Sequence, residues 1–156
     1  MIILGIDPGS RRVGYGIIQR VSGKATMLAA GILPVQSSIE SGALLEIVAG
    51  LNKLIVEFKP EVVALERLFF SKNQKTGMQV AQARGAILTA LATHGLKIEE
   101  YSPNEIKMSL TGYGLADKRA VLKIVRIILN EPELKVLDDA SDALALALIA
   151  RGVDRL

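Results

Sequence analysis

The chain has no cysteine. That absence removes disulfides, thiolate-held zinc and thiol nucleophiles together, and it fits a reducing compartment. A cytoplasmic protein is therefore expected. Histidine is nearly missing as well: the only one, His94, stands before Gly95 at a predicted helix end, where it reads as a capping residue with no catalytic role. Long apolar runs are also lacking. The longest late one, Ala143 to Ala150, has eight residues, against the roughly 20 that a spanning helix needs. The opening Met1-Ile2-Ile3-Leu4-Gly5-Ile6-Asp7 lacks a basic leader and reaches a carboxylate at position 7. It predicts neither a secretory signal nor a membrane anchor. No repeats, linkers or low-complexity tracts occur.

What is there is a chain of 156 residues, 50% of them apolar, enough for one domain over 1–156 that buries roughly 68 to 70% of its unfolded surface. The formal net charge is +3, from 19 basic and 16 acidic residues. Setting aside four acids discussed below leaves 19 against 12, or +7. The basic residues are also unevenly spread. Residues 8–39 carry Arg11, Arg12, Arg20 and Lys24 with no acid, and residues 67–98 carry five basic residues with no acid. Such stretches favour a polyanionic partner.

Three β-rich runs open the chain: Ile2 to Asp7, Gly14 to Arg20 and Ala25 to Leu33, separated by turn chemistry at Pro8-Gly9-Ser10 and Ser22-Gly23. Links this short require an antiparallel meander. An amphipathic helix follows from about Ser41 to Phe58, with Leu44, Val48, Leu51, Ile55 and Phe58 on its apolar face. Glu61 to Glu66 is short and β-branched, hence a buried strand. A second helix, about Lys75 to Thr93, carries Ala81, Ala83, Gly85, Ala86 and Ala90, small enough for close approach by a neighbour. Leu96 to Tyr101 reads as a fifth strand. Ser102-Pro103-Asn104-Glu105 combines an N-cap serine, N1 proline and N3 glutamate, the start of a short helix. Another helix runs from about Asp117 to Leu129, with Val121, Ile124, Val125 and Ile128 as its stripe.

In the last segment, Ala143 to Leu148 alternates with period 2, as a strand would. Ala and Leu are nonetheless the strongest helix formers, and Asp138, Asp139 and Ser141 supply capping groups, so a helix is predicted. The expected fold is α/β: a five-stranded mixed sheet, three antiparallel strands plus two parallel ones, flanked by helices.

Four acids stand beside apolar runs where an unpaired carboxylate is costly. Asp7 closes the first strand and Glu66 the fourth, and ligand sites in α/β sheets lie beyond the carboxyl ends of strands. Asp139 and Asp142, three apart, share one helix face. Asp138 with Asp142, at i and i+4, also shares one. An all-oxygen set suits Mg2+ or Mn2+ rather than zinc. Two such ions about 3.5 to 4 Å apart can drive in-line displacement at phosphorus, which predicts a phosphodiesterase. Phe69 and Phe70 lie between Arg67 and Lys72, an arrangement suited to base stacking beside phosphate contacts.

The chain resembles the RuvC family of Holliday-junction resolvases, within the ribonuclease H-like fold. The resemblance is carried by Ile3-Leu4-Gly5-Ile6-Asp7-Pro8-Gly9-Ser10, Gly14-Tyr15-Gly16, Glu66 with Phe69 and Lys72-Asn73, Gln82-Ala83-Arg84-Gly85, and Asp139-Ala140-Ser141-Asp142-Ala143-Leu144-Ala145. It implies a homodimeric Mg2+-dependent endonuclease of recombination and repair that nicks a four-way DNA junction symmetrically. Two Mg2+ per active site are expected, with Mn2+ able to substitute, and a branch-migration motor as a further partner. The resemblance makes Asp7, Glu66, Asp139 and Asp142 the catalytic metal ligands, its spacing of three favouring Asp139 over Asp138. Phe69, Lys72, Lys107 and Lys118 fall to DNA binding, with Lys107 and Lys118 assisting either that binding or the transition state, and the second helix to the dimer interface. Two other classes compete. Actin-like ATPases share the Gly-Ile-Asp-x-Gly turn but need two such domains. A non-catalytic junction-binding protein on this fold would not require four carboxylates suited to metal.

Overall fold

A computed structural model of the chain describes residues 1–67 and 74–151. Its centre is a five-stranded sheet in the order β3-β2-β1-β4-β5. The strands are β1 (Ile2–Asp7), β2 (Val13–Val21), β3 (Lys24–Leu33), β4 (Val62–Glu66) and β5 (Lys97–Tyr101). The first three form the expected antiparallel meander, while β4 pairs parallel to β1 and β5 parallel to β4. Crossovers supply those parallel pairs, through α1 (Glu40–Phe58) and α2 (Gln74–Thr93). The chain then adds α3 (Pro103–Thr111), α4 (Lys118–Leu129) and α5 (Asp138–Ile149).

Strand alternation sorts the residues into two cores. Leu4, Ile6, Ile17, Val63 and Leu65 face α1 and α2, meeting Ile47, Leu51, Ile87 and Leu91. On the other face, Ile3, Ile18, Val62 and Ala64 meet α5 and the α3–α4 pair. Asp7 and Glu66 lie four residues beyond Ile3 and Val62, so they project from that second face, at the strand ends.

Three helical expectations need correction. The α1 face is turned toward Ala43, Ile47, Leu51 and Ile55, with Leu44, Val48 and Phe58 only partly buried at its edge. On α4 the core positions are Val121, Val125 and Leu129, while Ile128 is exposed. The cap of α5 is Leu137, with no side-chain capping bond, so Asp138 and Asp139 occupy its first turn and contribute charge, not a cap. The capping box at Ser102 and Glu105 is formed as predicted. His94 does not cap with its ring, which meets Asn52 Oδ1 at 3.0 Å, while Gly95 takes the left-handed turn.

The seating of α5 follows from glycine. A Cβ on Gly5 would stand 1.9 Å from the Ala143 carbonyl oxygen, one on Gly14 2.0 Å from that of Asp139, and one on Gly16 2.6 Å from the Leu144 nitrogen. Gly5 and Gly16 are cross-strand partners, as are Asp7 and Gly14. The helix backbone therefore rests directly on a glycine floor shared by β1 and β2. Its far end is clamped by Arg20, whose guanidinium donates to the carbonyls of Leu148 and Ala150 at 2.7 and 2.6 Å. Every residue from Ala143 to Ala147 is buried. No helix among the described residues is long and apolar enough to cross a membrane.

Candidate metal and nucleic-acid site

Two neighbouring parallel strands, β1 and β4, end in Asp7 and Glu66, and the glycine floor brings the first turn of α5 against them. The charges that act on Asp7 locate the cluster. Burial pushes its carboxyl up to about 7, and the charges of Glu66, Asp142 and Asp139 push the same way, in that order, with the Lys118 ammonium opposing. Glu66 is also raised, first by burial and then by Asp142, against a hydrogen bond with Asp7. Like charges crowd around a half-dry pocket.

The structure also resolves the helix register. Asp138 is 82% exposed at the side chain and lies 4.0 Å from Lys118, whereas Asp139 and Asp142 are only 28% and 31% exposed. Asp139 rests on Gly14, the cross-strand partner of Asp7. The pair spaced by three is the one turned toward Asp7.

Two cations engage that pair. Arg12 Nε donates to Asp139 Oδ2 at 2.8 Å, and Lys118 Nζ to Asp142 Oδ2 at 3.0 Å. Lys118 is held above the usual lysine range, first by its hydrogen bond to Asp142. Among the described residues no three acids stand ready at coordinating spacing.

The residues fit a divalent ion. The donors are all oxygens, which suits a hard cation. A buried carboxyl raised by three like charges is also the environment that a +2 ion relieves. The sign of the linkage follows. Between pH 3.8 and about 7 the folded protein keeps a proton on Asp7 that the unfolded chain has lost. The metal-free fold is therefore most stable below pH 3.8, as far as Asp7 goes, and loses that contribution as pH rises to about 7. Metal competes with the same proton. Thermal melts with and without Mg2+ should show stabilisation by metal that is large at pH 8 and weak at pH 5.5. Equal shifts at the two pH values would contradict the reading of Asp7.

Lys107 sits on α3, half-buried, without an ion pair to the four acids among the described residues. Phe69, Phe70 and Lys72 lie outside the described residues. Sequence reading missed the role of Arg12, which entered only as part of a basic stretch. Its partner is 127 residues away, and no local spacing signals such a pair. The glycine floor had a signal: glycines at alternate positions of one strand, 14 and 16, opposite Gly5.

A mixed sheet in this order, with acids at the ends of its two central parallel strands and on a helix crossing them, defines the ribonuclease H-like class to which junction resolvases belong. The yeast mitochondrial Holliday junction resolvase Ydc2 has this fold too, with a TM-score of 0.70 at 12% identity over 94% of this chain and 75% of that one. The sequence matches the family described as crossover junction endodeoxyribonuclease RuvC over residues 3–150. A relative of that name from Natranaerobius thermophilus is 46% identical over 149 residues, 95% of this chain and 92% of its own. The solved structure of T. thermophilus RuvC in complex with Holliday junction substrate superposes with a TM-score of 0.88, at 32% identity, covering 95% of this chain and 91% of that one. The chain belongs to the RuvC family of crossover junction endodeoxyribonucleases. Dependence on a divalent metal goes with that family.

Proposed function

We propose that this protein resolves four-way DNA junctions by paired symmetric nicks, with Asp7, Glu66, Asp139 and Asp142 holding two Mg2+ ions, for which Mn2+ can substitute. The observation that carries the reading is the convergence of three acidic charges on buried Asp7, whose carboxyl rises to about 7. When bound, the two ions supply an activated water and neutralise charge on the attacking and leaving oxygens.

The chain's own residues do the rest. Asp7 and Glu66, fixed on rigid strand ends, set the position at which the phosphodiester is held, since small misplacement of a reacting atom is costly. Asp139 and Asp142 close the site from α5. Lys118 stays protonated beside Asp142 and offers positive charge where negative charge builds up on the phosphoryl oxygens. Lys107, Lys72 and Phe69 contact the DNA, the lysines at phosphates and the phenylalanine on a base near the crossover.

A junction with two-fold symmetry calls for a symmetric enzyme, and a homodimer supplies two equivalent sites. An apolar groove of about 580 Å³ between α1 and α2, lined in part by Leu44, Leu45, Val48, Ala86 and Ala90, supports an interface there. Leu45 is exposed in the single chain. Leu45→Glu is expected to shift sedimentation from dimer to monomer and to uncouple the two nicks. An unchanged dimer would move the interface elsewhere. A branch-migration motor is the further partner proposed.

The test compares a synthetic four-way junction with linear duplex of the same sequence, in Mg2+ and in EDTA. Cleavage of the junction alone, abolished by EDTA, is expected. Junction binding without cleavage in Mg2+ or Mn2+ would support a non-catalytic binding protein instead.

A further inference from the structure

We propose that the cleft beside Asp139 is a phosphate subsite for the DNA backbone, with Arg12 as its anchor: one edge of the guanidinium holds Asp139 and the other takes a phosphodiester next to the scissile one. The proposal rests on the nuclease reading and names a second contact for its substrate.

The cleft measures about 710 Å³ and runs between the turn after β1 and the start of α5, with Ser10, Arg11, Arg12 and Asp139 on its walls. That volume falls in the range of roughly 300 to 1,000 Å³ typical of ligand sites. Arg12 reaches Asp139 through Nε alone, at 2.8 Å. Its two terminal nitrogens have no partner among the described residues, and the side chain is 60% exposed. An arginine usually gives a carboxylate two parallel bonds. Here one edge is committed and the rest of the fork points outward, a planar set of donors matched to phosphate oxygens.

The neighbouring groups favour the same ligand. Arg11 is fixed by the backbone carbonyls of Ser37 and Ser38, which are neutral acceptors, and no carboxylate among the described residues pairs with it. Asp138, the other acid on the wall, leans toward Lys118 at 4.0 Å. The turn folds back tightly on itself: a Cβ on Gly9 would stand 2.2 Å from the Arg12 carbonyl oxygen. A strand lying across the four carboxylates carries a phosphate at every nucleotide, so its next phosphates meet the cleft at the edge of the site. Contacts of this kind set register rather than read sequence. Arg12 thereby ties the position of Asp139 to the position of the strand.

Binding of a labelled four-way junction without metal, followed by anisotropy over a range of NaCl, separates the bridging role from a purely structural one. Wild type should weaken steeply with salt through counterion release. Arg12→Ala should bind several-fold more weakly and lower the slope of log K against log salt by about one. Arg12→Lys, which keeps the charge but cannot bridge, should retain the slope and lose cleavage rate at saturating junction. Methylphosphonate placed at single linkages flanking the cleavage position should weaken wild-type binding at one of them and add nothing to Arg12→Ala. If Arg12→Ala has wild-type affinity and slope, the subsite does not exist, even where the wild type cleaves normally; a lowered melting temperature with unchanged binding would leave Arg12 a purely structural partner of Asp139. If the wild type nicks no junction, the nuclease reading fails, and the salt slopes still report on Arg12.

Discussion

Asp7→Asn is expected to reduce junction cleavage in Mg2+ by at least about a thousandfold while leaving junction binding in place. The substitution keeps the size of the side chain and removes one anionic oxygen donor from the centre of the cluster. In the metal-free protein it removes a liability as well, because burial and three neighbouring acids all act against an ionised Asp7. The variant should therefore melt higher than wild type at pH 8 in EDTA. It should also gain little from added Mg2+, whereas wild type is expected to be stabilised by mass action. Loss of activity with a gain in stability is a combination that a merely damaged fold cannot produce. Cleavage at the wild-type rate in Asp7→Asn would remove the metal assignment.

Gly5→Ala carries the largest expected cost to the fold. The new Cβ would lie 1.9 Å from the Ala143 carbonyl and 2.8 Å from the Ala147 nitrogen, both backbone atoms with no side-chain freedom to yield. Overpacking of this kind typically costs about 1 to 3 kcal/mol and occasionally more. With backbone on both sides, about 3 kcal/mol is the expected scale, a shift of about 6 to 12 °C in melting temperature for a chain this size. Gly16→Ala, whose Cβ would stand 2.6 Å from the Leu144 nitrogen, should behave alike. Because α5 carries Asp139 and Asp142, lifting it from the sheet should also weaken Mg2+ binding in whatever fraction stays folded. Gly77→Ala is the control: nothing lies within 4 Å of its added Cβ, and removing a helical glycine should be neutral or stabilising by up to about 1 kcal/mol. Equal melting temperatures for Gly5→Ala and wild type would overturn the glycine floor.

Much of this organisation was legible in the sequence, for local reasons. Short polar turns required the meander, the β-branched run before Glu66 required a buried strand, and strand-end acids pointed to a site beyond the sheet. The helices were less legible because packing chooses the buried face. On α4 both Ile128 and Leu129 satisfy an apolar stripe, and only the position of α5 decides that Leu129 goes in. On α5 the period-2 alternation pointed to a strand, because the helix is enclosed by the sheet and by α3 and α4 and accepts apolar residues all round, so no 3.6-residue stripe was needed. The choice between Asp138 and Asp139 likewise needed three dimensions: Gly14 lets the backbone of Asp139 sit beside Asp7, and no spacing rule within the helix contains that fact.

Strand-resolved mapping of a four-way junction, labelled on each strand in turn and incubated with the purified protein and Mg2+, tests the resolvase assignment most directly. Nicks at symmetry-related positions in two strands of like polarity, sealable by a ligase, are the predicted result. Nicks confined to one strand, or scattered equally over junction and linear duplex, would contradict it.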